Sequence, residues 1–376
     1  MAVITGLAGG RRLVRDYGQE LRLFRGTGRK VAVLAAVAIY LWLPTILDDE
    51  WAGILVLVGI TTIGALGLNL LTGYAGQPSL GSAAFIGIGA FTAGYLGGRT
   101  DIFGNPDPGW SFFGYFAVAA VIGAVVGLVV GLPALRLRGN YLIIVTLGLV
   151  FVALYVFQSW DEVTGGNAGS PMPINVEIFG LNFTALDVFG RQFERNQSLF
   201  YLVWLIAAIV GILLANLVRS RPGRALQAVR DRDVAAEVVG VSLFRYKIAA
   251  FVLSSALISM AGVLYGIYLQ YLTPNESSLG LSTSIQYLAI VIIGGIGTTY
   301  GPVLGALLVG VIPKLVDSVA TDLPFVATKA TESGVSKDEL VVILNASLII
   351  IFLVTEPNGL AGLLRRVKAY FVSWPL

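Results

Sequence analysis

Eight long stretches of the chain contain no Asp, Glu, Lys or Arg: Val31–Leu47, Trp51–Gly98, Phe112–Leu135, Gly139–Trp160, Asn196–Val218, Ile248–Asn275, Ser277–Pro313 and Leu340–Thr355. A helix that crosses a hydrocarbon core of about 30 Å needs roughly 20 apolar residues. Two stretches, Trp51–Gly98 and Ser277–Pro313, are too long for one straight helix and are interrupted near their middles. Counted as helical pairs or broken hairpins, the stretches predict an all-α, polytopic membrane bundle with about ten crossings.

Both interruptions combine glycines with a following proline. The first lies at 73–81 and the second at 294–301, and their glycines include Gly73, Gly76, Gly294, Gly295 and Gly297. Proline suits the first turn of a helix, where its missing N–H would have no partner anyway. Pro78 and Pro302 are therefore predicted to begin the second helix of each pair.

Two interpretations of these breaks are open at this point. In the first, helix-end carbonyls and helix-start N–H groups bind a zwitterionic solute, as broken helices do in transporters. Polar side chains along that substrate path would be Asn69, Gln77, Ser79, Thr298, Thr299 and Tyr300. In the second, both breaks are tight hairpins that touch water at the membrane face and contact no solute.

Composition supports the membrane assignment and excludes several functions. Of 376 residues, 56% are apolar and 12% are charged, about half the charged share of a soluble domain. Cysteine and histidine are both absent, which excludes thiol nucleophiles, disulfides and the usual general base, and leaves little support for a membrane-embedded enzyme. The predicted spans contain no ionisable residue, which argues against a proton- or cation-coupled carrier.

The charges divide unequally between the two sides of the predicted bundle. The N-terminal tail, the Arg136/Arg138 turn, the loop 219–247 and the tail from Glu356 hold 19 basic and 6 acidic residues. The other side holds 6 basic and 16 acidic residues. The positive-inside rule therefore predicts cytoplasmic termini, with a basic N-terminal segment 1–30, a transmembrane domain 31–357 and a C-terminal tail 358–376.

The loop 219–247 contains a predicted short helix from Arg224 to Val239, followed by Gly240. Such a helix suits docking to a soluble partner, and a positively charged anchor loop is the alternative that spacing alone leaves open. The phosphate-binding pattern GxxxxGK[ST] is absent, so the chain cannot bind ATP by that route. Energy for active transport would have to come from another chain.

Several motifs resemble those of the branched-chain amino acid permeases of ABC importers, the LivM-like family. They are GLNLLTGYAGQPSLGSAAF, RLRGNYLIIVTLG, TGGNAG, SRPGRALQAVRD and GGIGTTYGPVLGA, and they extend the resemblance from about Trp51 to Asn358. The loop itself is similar to the coupling segment of such permeases, in which an Ala-Ala pair and a downstream glycine lie on a short helix held by the ATPase. The matching residues here are Ala235, Ala236, Glu237 and Gly240.

The resemblance implies a multi-pass subunit of the bacterial plasma (inner) membrane that works by alternating access. Its partners would be a second, LivH-like permease, two ABC ATPase subunits, an extracytoplasmic substrate-binding protein and membrane lipid, with no nucleic acid. The ATPase-coupling residues would be Arg221, Arg224, Arg230, Ala235, Ala236, Glu237 and Gly240. No catalytic residue, metal or resident cofactor is expected, since ATP would be bound by the partners.

The expected substrates are branched-chain or other hydrophobic amino acids. A urea or short-amide ABC permease of the same superfamily is the alternative within this class. A passive small-solute channel is the alternative from a different class, and the coupling loop argues against it, because a pore needs no ATPase-docking helix.

Overall fold

The computed structural model describes residues 27–97, 109–134, 141–173, 176–178, 180–184, 186–188, 191–320, 326–327, 335–356 and 358–373. Most of the predicted segment 1–30 and the Arg136/Arg138 turn therefore lie outside the described residues. The chain divides into two units, residues 1–43 and residues 44–376. Helix α1 (Thr27–Ile46) is a single helix of 20 residues that contains Pro44 near its end.

The unit 44–376 is mostly helical. Its helices are α2 (Asp49–Asn69), α3 (Ser82–Leu96), α4 (Phe112–Ala134), α5 (Tyr141–Ser159), α6 (Asp161–Thr164), α7 (Arg195–Arg219), α8 (Arg221–Asp231), α9 (Asp233–Val238), α10 (Leu243–Leu269), α11 (Glu276–Leu279), α12 (Leu281–Gly294), α13 (Gly301–Ala320), α14 (Lys337–Thr355) and α15 (Gly359–Ser373). A π-helical turn (Leu70–Tyr74) follows α2, and a 3-10 turn (Gly166–Ala168) follows α6.

Short strands of two residues each lie in the connections between helices. They are β1 (Ser170–Pro171), β2 (Glu177–Ile178), β3 (Leu181–Asn182), β4 (Asp187–Val188), β5 (Arg191–Gln192), β6 (Tyr271–Leu272), β7 (Val326–Ala327) and β8 (Val335–Ser336). The antiparallel pairs are β1–β6, β2–β3 and β4–β5, and β7–β8 is parallel. The β1–β6 pair joins the connection after α5 to the end of α10.

The predicted polytopic helical membrane fold is confirmed. Within the described residues, six segments are long and apolar enough to cross a membrane: Asp49–Tyr74, Phe112–Pro133, Tyr141–Ser159, Arg195–Arg219, Leu243–Leu269 and Glu276–Gly294. Four shorter apolar helices lie at Val37–Ile46, Ser82–Leu96, Gly301–Val316 and Glu339–Phe352. These ten helices correspond to the stretches from which about ten crossings were predicted.

Helix α10 packs against α2, α3 and α4 through glycines that let backbones approach. A side chain at Gly89 of α3 would overlap the carbonyl of Ser259 on α10, and one at Gly262 would overlap the carbonyl of Ile86. On α4, Gly123 and Gly127 face serine side chains of α10. Small residues permit this close packing in membrane helices. These glycines therefore pack the chain's own helices against one another.

Three features differ from the sequence predictions. Pro78 does not begin a helix, because the chain stays non-helical until α3 begins at Ser82. The helix expected from Arg224 to Val239 is two helices, α8 and α9, which are separated by the extended backbone of Arg232 (φ −155°, ψ 97°). Lys314 lies inside the apolar helix Gly301–Val316 rather than outside the spans. The prediction for Pro302 is correct, since it is the second residue of α13.

Candidate functional site

The first break, defined here as residues 70–81, follows the C-terminal end of α2 and begins with the π-helical turn. The π-helical turn ends with the N–H of Ala75 donating to the Leu70 carbonyl at 3.1 Å, and the Gln77 N–H donates to the Leu71 carbonyl at 3.0 Å. Gly76 takes a positive φ of 67°, which a residue with a side chain adopts only with strain. The chain then runs without helical structure to Gly81, and the side chains of Gln77 and Ser79 are buried.

The second break, defined here as residues 295–300, separates α12 from α13. Gly295 and Gly297 have positive φ values of 117° and 73°, so glycine is required at both positions. A Cβ at Gly294 would overlap the Gly301 carbonyl, which brings the backbones of α12 and α13 into contact. Within the break, the Thr298 hydroxyl donates to the Gly295 carbonyl at 2.7 Å.

Hydrogen bonds join the two breaks directly. The Asn69 amide donates to the Thr298 carbonyl at 2.8 Å and accepts from the Gly297 N–H at 2.9 Å. The hydroxyls of Tyr74 and Thr299 lie 3.1 Å apart. The structure therefore brings together three of the predicted path residues, Asn69, Thr298 and Thr299, in contacts between the breaks.

The other predicted path residues lie apart from these contacts. The Tyr300 hydroxyl donates to the Ala361 carbonyl of α15 at 3.4 Å. The Ser79 hydroxyl accepts from the Gly81 N–H at 3.2 Å, just before α3 begins. Gln77 is buried in the first break.

Hydroxyl groups from two other helices fix the start of α3. Thr146 of α5 accepts from the Leu80 N–H at 3.0 Å, and Ser284 of α12 accepts from the Ala83 N–H at 3.0 Å. Neither residue was predicted, although Thr146 belongs to the motif RLRGNYLIIVTLG. Because their N–H partners are distant in sequence, spacing gave no signal for either contact.

The coupling segment, defined here as residues 221–240, leaves α7 through a tight turn. The Ser220 hydroxyl donates to the Leu217 carbonyl at 2.5 Å, and Pro222 occupies the first turn of α8. A Cβ at Gly223 would overlap the carbonyls of Leu217 and Val218, so this position admits only glycine without a shift. These contacts explain the Ser-Arg-Pro-Gly-Arg portion of the motif in structural terms.

The coupling segment ends in a glycine cap. The Val241 N–H donates to the Ala236 carbonyl at 3.0 Å, and the Gly240 N–H donates to the Glu237 carbonyl at 2.9 Å. With Gly240 at φ 90°, this pair of hydrogen bonds is a Schellman motif, which ends a helix with a left-handed residue. The role of Gly240 is therefore local and conformational.

An apolar group of side chains projects from α9 and its cap. Val234, Val238 and Val239 are 72%, 84% and 83% exposed, and Phe244 at the start of α10 is 58% exposed. A cavity of about 460 Å³ beside them is lined in part by Asp233, Glu237 and Phe244. These four apolar residues are named the apolar tip. They were not predicted, because valines in a charged loop resemble ordinary helix-packing residues.

The predicted coupling residues fall into different environments. Arg221, Arg224, Ala235, Glu237 and Gly240 are exposed, and Ala236 is buried. Arg224 donates to the Arg219 carbonyl at 2.9 Å, within its own turn. Arg230 is also exposed, and its guanidinium reaches the Gly73 carbonyl of the first break.

Arg230 connects the coupling segment to both breaks. Its guanidinium donates a hydrogen bond to the Gly73 carbonyl. A side chain at Gly76 would meet the backbone and side-chain stem of Arg230 at 3.1–3.3 Å, and one at Gly297 would overlap its guanidinium. The end of α8 thus rests on three glycines, two from the first break and one from the second.

Comparison with known proteins identifies the family. The family described as "Branched-chain amino acid transport system / permease component" matches residues 51–353. The chain is 29% identical to the high-affinity branched-chain amino acid transport system permease protein LivM of Escherichia coli K12, over 76% of this chain and 68% of LivM. It is 26% identical to a probable LivM of Methanocaldococcus jannaschii, over 70% of this chain and 80% of that protein.

A further relative is the permease protein LivH of Escherichia coli K12, at 21% identity over 79% of this chain and 90% of LivH. No solved structure matches. The chain belongs to the branched-chain amino acid transport permease family and is LivM-like, as its motifs predicted. It is a multi-pass permease of the inner membrane.

Proposed function

We propose that this permease is one membrane subunit of an ATP-driven importer for branched-chain or other hydrophobic amino acids. A second, LivH-like permease would complete the pathway, two ABC ATPases would supply energy, and an extracytoplasmic binding protein would deliver the solute. The substrate class is drawn from the names of the relatives, LivM and LivH, both branched-chain amino acid transport permeases. The permease itself is no enzyme and needs no resident cofactor.

The observation that carries the proposal is the two-sided arrangement of the coupling segment. Its outer side exposes the apolar tip, and exposed apolar side chains grouped in this way mark protein interaction sites. Its inner side places Arg230 against both helix breaks. A partner that binds the apolar tip would therefore act on the two breaks through the coupling segment.

The mechanism follows from this arrangement. ATP binding would close the ATPases and displace the coupling segment, and Arg230 would carry the displacement to the first and second breaks. Loops and helix ends such as these breaks are the points that absorb the backbone changes of domain movements. The membrane subunits would then alternate between inward-open and outward-open states, with nucleotide biasing the equilibrium.

The test is reconstitution of the complete complex in vesicles, with ATP hydrolysis measured against leucine, valine, other amino acids and urea. We expect stimulation by branched-chain amino acids in the presence of the binding protein. Stimulation by urea alone would instead support the short-amide alternative. Solute flux that does not depend on nucleotide would support the passive-channel alternative.

A variant pair tests the docking surface itself. Val238→Asp places a carboxylate in the apolar tip and is expected to weaken ATPase binding at least tenfold, because a charge would be buried without a partner. Leu181→Asp is the matched control, since Leu181 is also exposed but lies in β3, outside the coupling segment. Equal ATPase binding by both variants would contradict the proposed docking surface.

A further inference from the structure

A cavity of about 460 Å³ lies at the end of α2 that is opposite the breaks. Four helices contribute to it: Asp49, Glu50 and Ile54 come from α2, Asn196 from α7, Tyr268 from α10 and Lys314 from α13. It is named the charged cavity. Its volume lies within the range of about 300–1,000 Å³ that is typical of small-molecule sites.

The cavity contains charges of both signs. The Lys314 ammonium forms an ion pair with the Glu50 carboxylate. The Asp49 carboxylate accepts hydrogen bonds from the side-chain amide of Asn196 at 2.7 Å and from its backbone N–H at 3.3 Å. Both acidic residues lie in the first turn of α2, where the helix dipole favours negative charge. The two carboxylates therefore outnumber the single ammonium group.

Lys314 lies near the end of the apolar helix Gly301–Val316, where it lines the charged cavity beside Glu50 and its side chain is 24% exposed. Arg195, the other cation nearby, is already occupied, because it donates to the Ile267 and Tyr268 carbonyls at 2.5 and 3.2 Å. Lys314 is therefore the cation in the cavity that has donors to offer a ligand.

We propose that the charged cavity holds the amino acid during transport, with the ligand's ammonium group on Asp49 and its carboxylate on Lys314. This proposal rests on the proposed import of amino acids. An ammonium group carries three N–H donors, so Lys314 can serve Glu50 and a ligand carboxylate together. Ile54 and Pro313 supply apolar surface for the ligand's side chain.

The position of the cavity relates the ligand to the energy source. Asp49 is the first residue of the continuous segment Asp49–Tyr74, and Gly73 near its other end accepts the hydrogen bond from Arg230. One buried helix therefore begins in the charged cavity and ends beneath the coupling segment. Movement of the first break would be transmitted along α2 to the groups that hold the ligand.

The experiment uses the complete complex in vesicles with ATP and measures leucine uptake and ATP hydrolysis separately. Asp49→Asn and Lys314→Gln are each expected to lower leucine uptake about tenfold or more, because each removes a charge-assisted hydrogen bond to the ligand. ATP hydrolysis without substrate should not change. Glu276→Gln is the matched control, because Glu276 is an exposed acid outside the cavity.

A charge-swapped double variant, Glu50→Lys with Lys314→Glu, separates ligand binding from a merely structural ion pair. The swap keeps an ion pair between α2 and α13 but puts a carboxylate where the ligand's carboxylate would bind. We expect uptake to stay low although the complex assembles. Uptake restored to the wild-type level by the swap, or unchanged in both single variants, would overturn the proposal.

The proposed function and the cavity's role fail in different ways. A wild-type complex without ATP-dependent uptake of any amino acid would overturn the proposed function and with it the cavity's role. If the wild-type complex transports leucine and the cavity variants transport it equally well, only the cavity's role would be overturned.

Discussion

The guanidinium of Arg230 donates a hydrogen bond to the carbonyl of Gly73, which joins the coupling segment to the point where α2 opens into the first break. Gly76 and Gly297 lie against the same side chain. A guanidinium is planar and holds its donors in a fixed geometry, so it transmits a displacement better than a flexible ammonium group. Arg230 is therefore the direct link between the outer surface of the coupling segment and the broken helices.

Arg230→Gln should separate ATP hydrolysis from transport. We expect leucine uptake by the complete complex to fall about tenfold or more, because the link to Gly73 is lost, whereas ATP hydrolysis and subunit assembly persist. Arg230→Lys should retain an intermediate rate. Arg224→Gln is the control, since Arg224 bonds only within its own turn. Equal uptake by the Arg230→Gln and Arg224→Gln complexes would show that Arg230 transmits nothing.

Asn69→Leu should destabilise the junction of the two breaks. The substitution leaves the Thr298 carbonyl and the Gly297 N–H without their partner, at a cost of about 2–4 kcal/mol. Thr72→Val is the comparison, because the Thr72 hydroxyl bonds only to the Gln77 carbonyl within the first break, at 3.3 Å. Unfolding of the purified protein in detergent, followed by circular dichroism, measures both. A smaller loss for Asn69→Leu than for Thr72→Val would be inconsistent with this junction.

Gly240→Ala should weaken ATPase docking through the backbone rather than through contact. The φ of 90° disfavours any side chain by about 1–2 kcal/mol, although the space around the position is open. The affinity of the ATPases for the membrane subunits should fall about five- to thirty-fold. Gly240→Asn should cost less, since asparagine tolerates the left-handed region. An alanine variant that binds the ATPases as tightly as the wild type would argue against the capped conformation.

Gly89→Val and Gly148→Val form a matched pair on two apolar helices. A side chain at Gly89 overlaps the Ser259 carbonyl of α10, whereas nothing lies within 4 Å of a Cβ at Gly148. We expect the first variant to lose at least about 2 kcal/mol of stability and the second to lose little, because overpacking strains a close helix contact. Size-exclusion chromatography after stepwise heating distinguishes them. Similar midpoints would contradict the packing of α3 on α10.

Much of the fold was readable from the sequence because a membrane span has a simple composition. Charge-free stretches located the helices, and the glycines with Pro302 located the second break. The start of α3 was missed because the N–H groups on either side of it bond to other helices. The Leu80 N–H, just before the helix, donates to Thr146, and the Ala83 N–H, in its first turn, donates to Ser284. Those partners are far away in sequence, so local propensity alone placed the helix start at Pro78.

The candidate site was only partly predictable for a similar reason. The coupling segment was located by its motif, yet the sequence could not show that Arg230 bonds to the first break while three valines of the same segment are exposed. Charge alone suggested that the arginines contact a partner, whereas Arg230 donates a hydrogen bond to the Gly73 carbonyl of its own chain. The predicted span ended at Pro313 because the next residue is charged, although α13 continues past that position and pairs Lys314 with Glu50.

In the proposed mechanism, the permease takes its energy from attached ATPases through the coupling segment. The most direct measurement is leucine accumulation in vesicles that contain the complete complex and the binding protein, with and without ATP, beside vesicles that contain only the membrane subunits. We expect accumulation against a gradient in the complete complex with ATP and no flux in the other two preparations. Equal leucine flux without nucleotide, or through the membrane subunits alone, would contradict it.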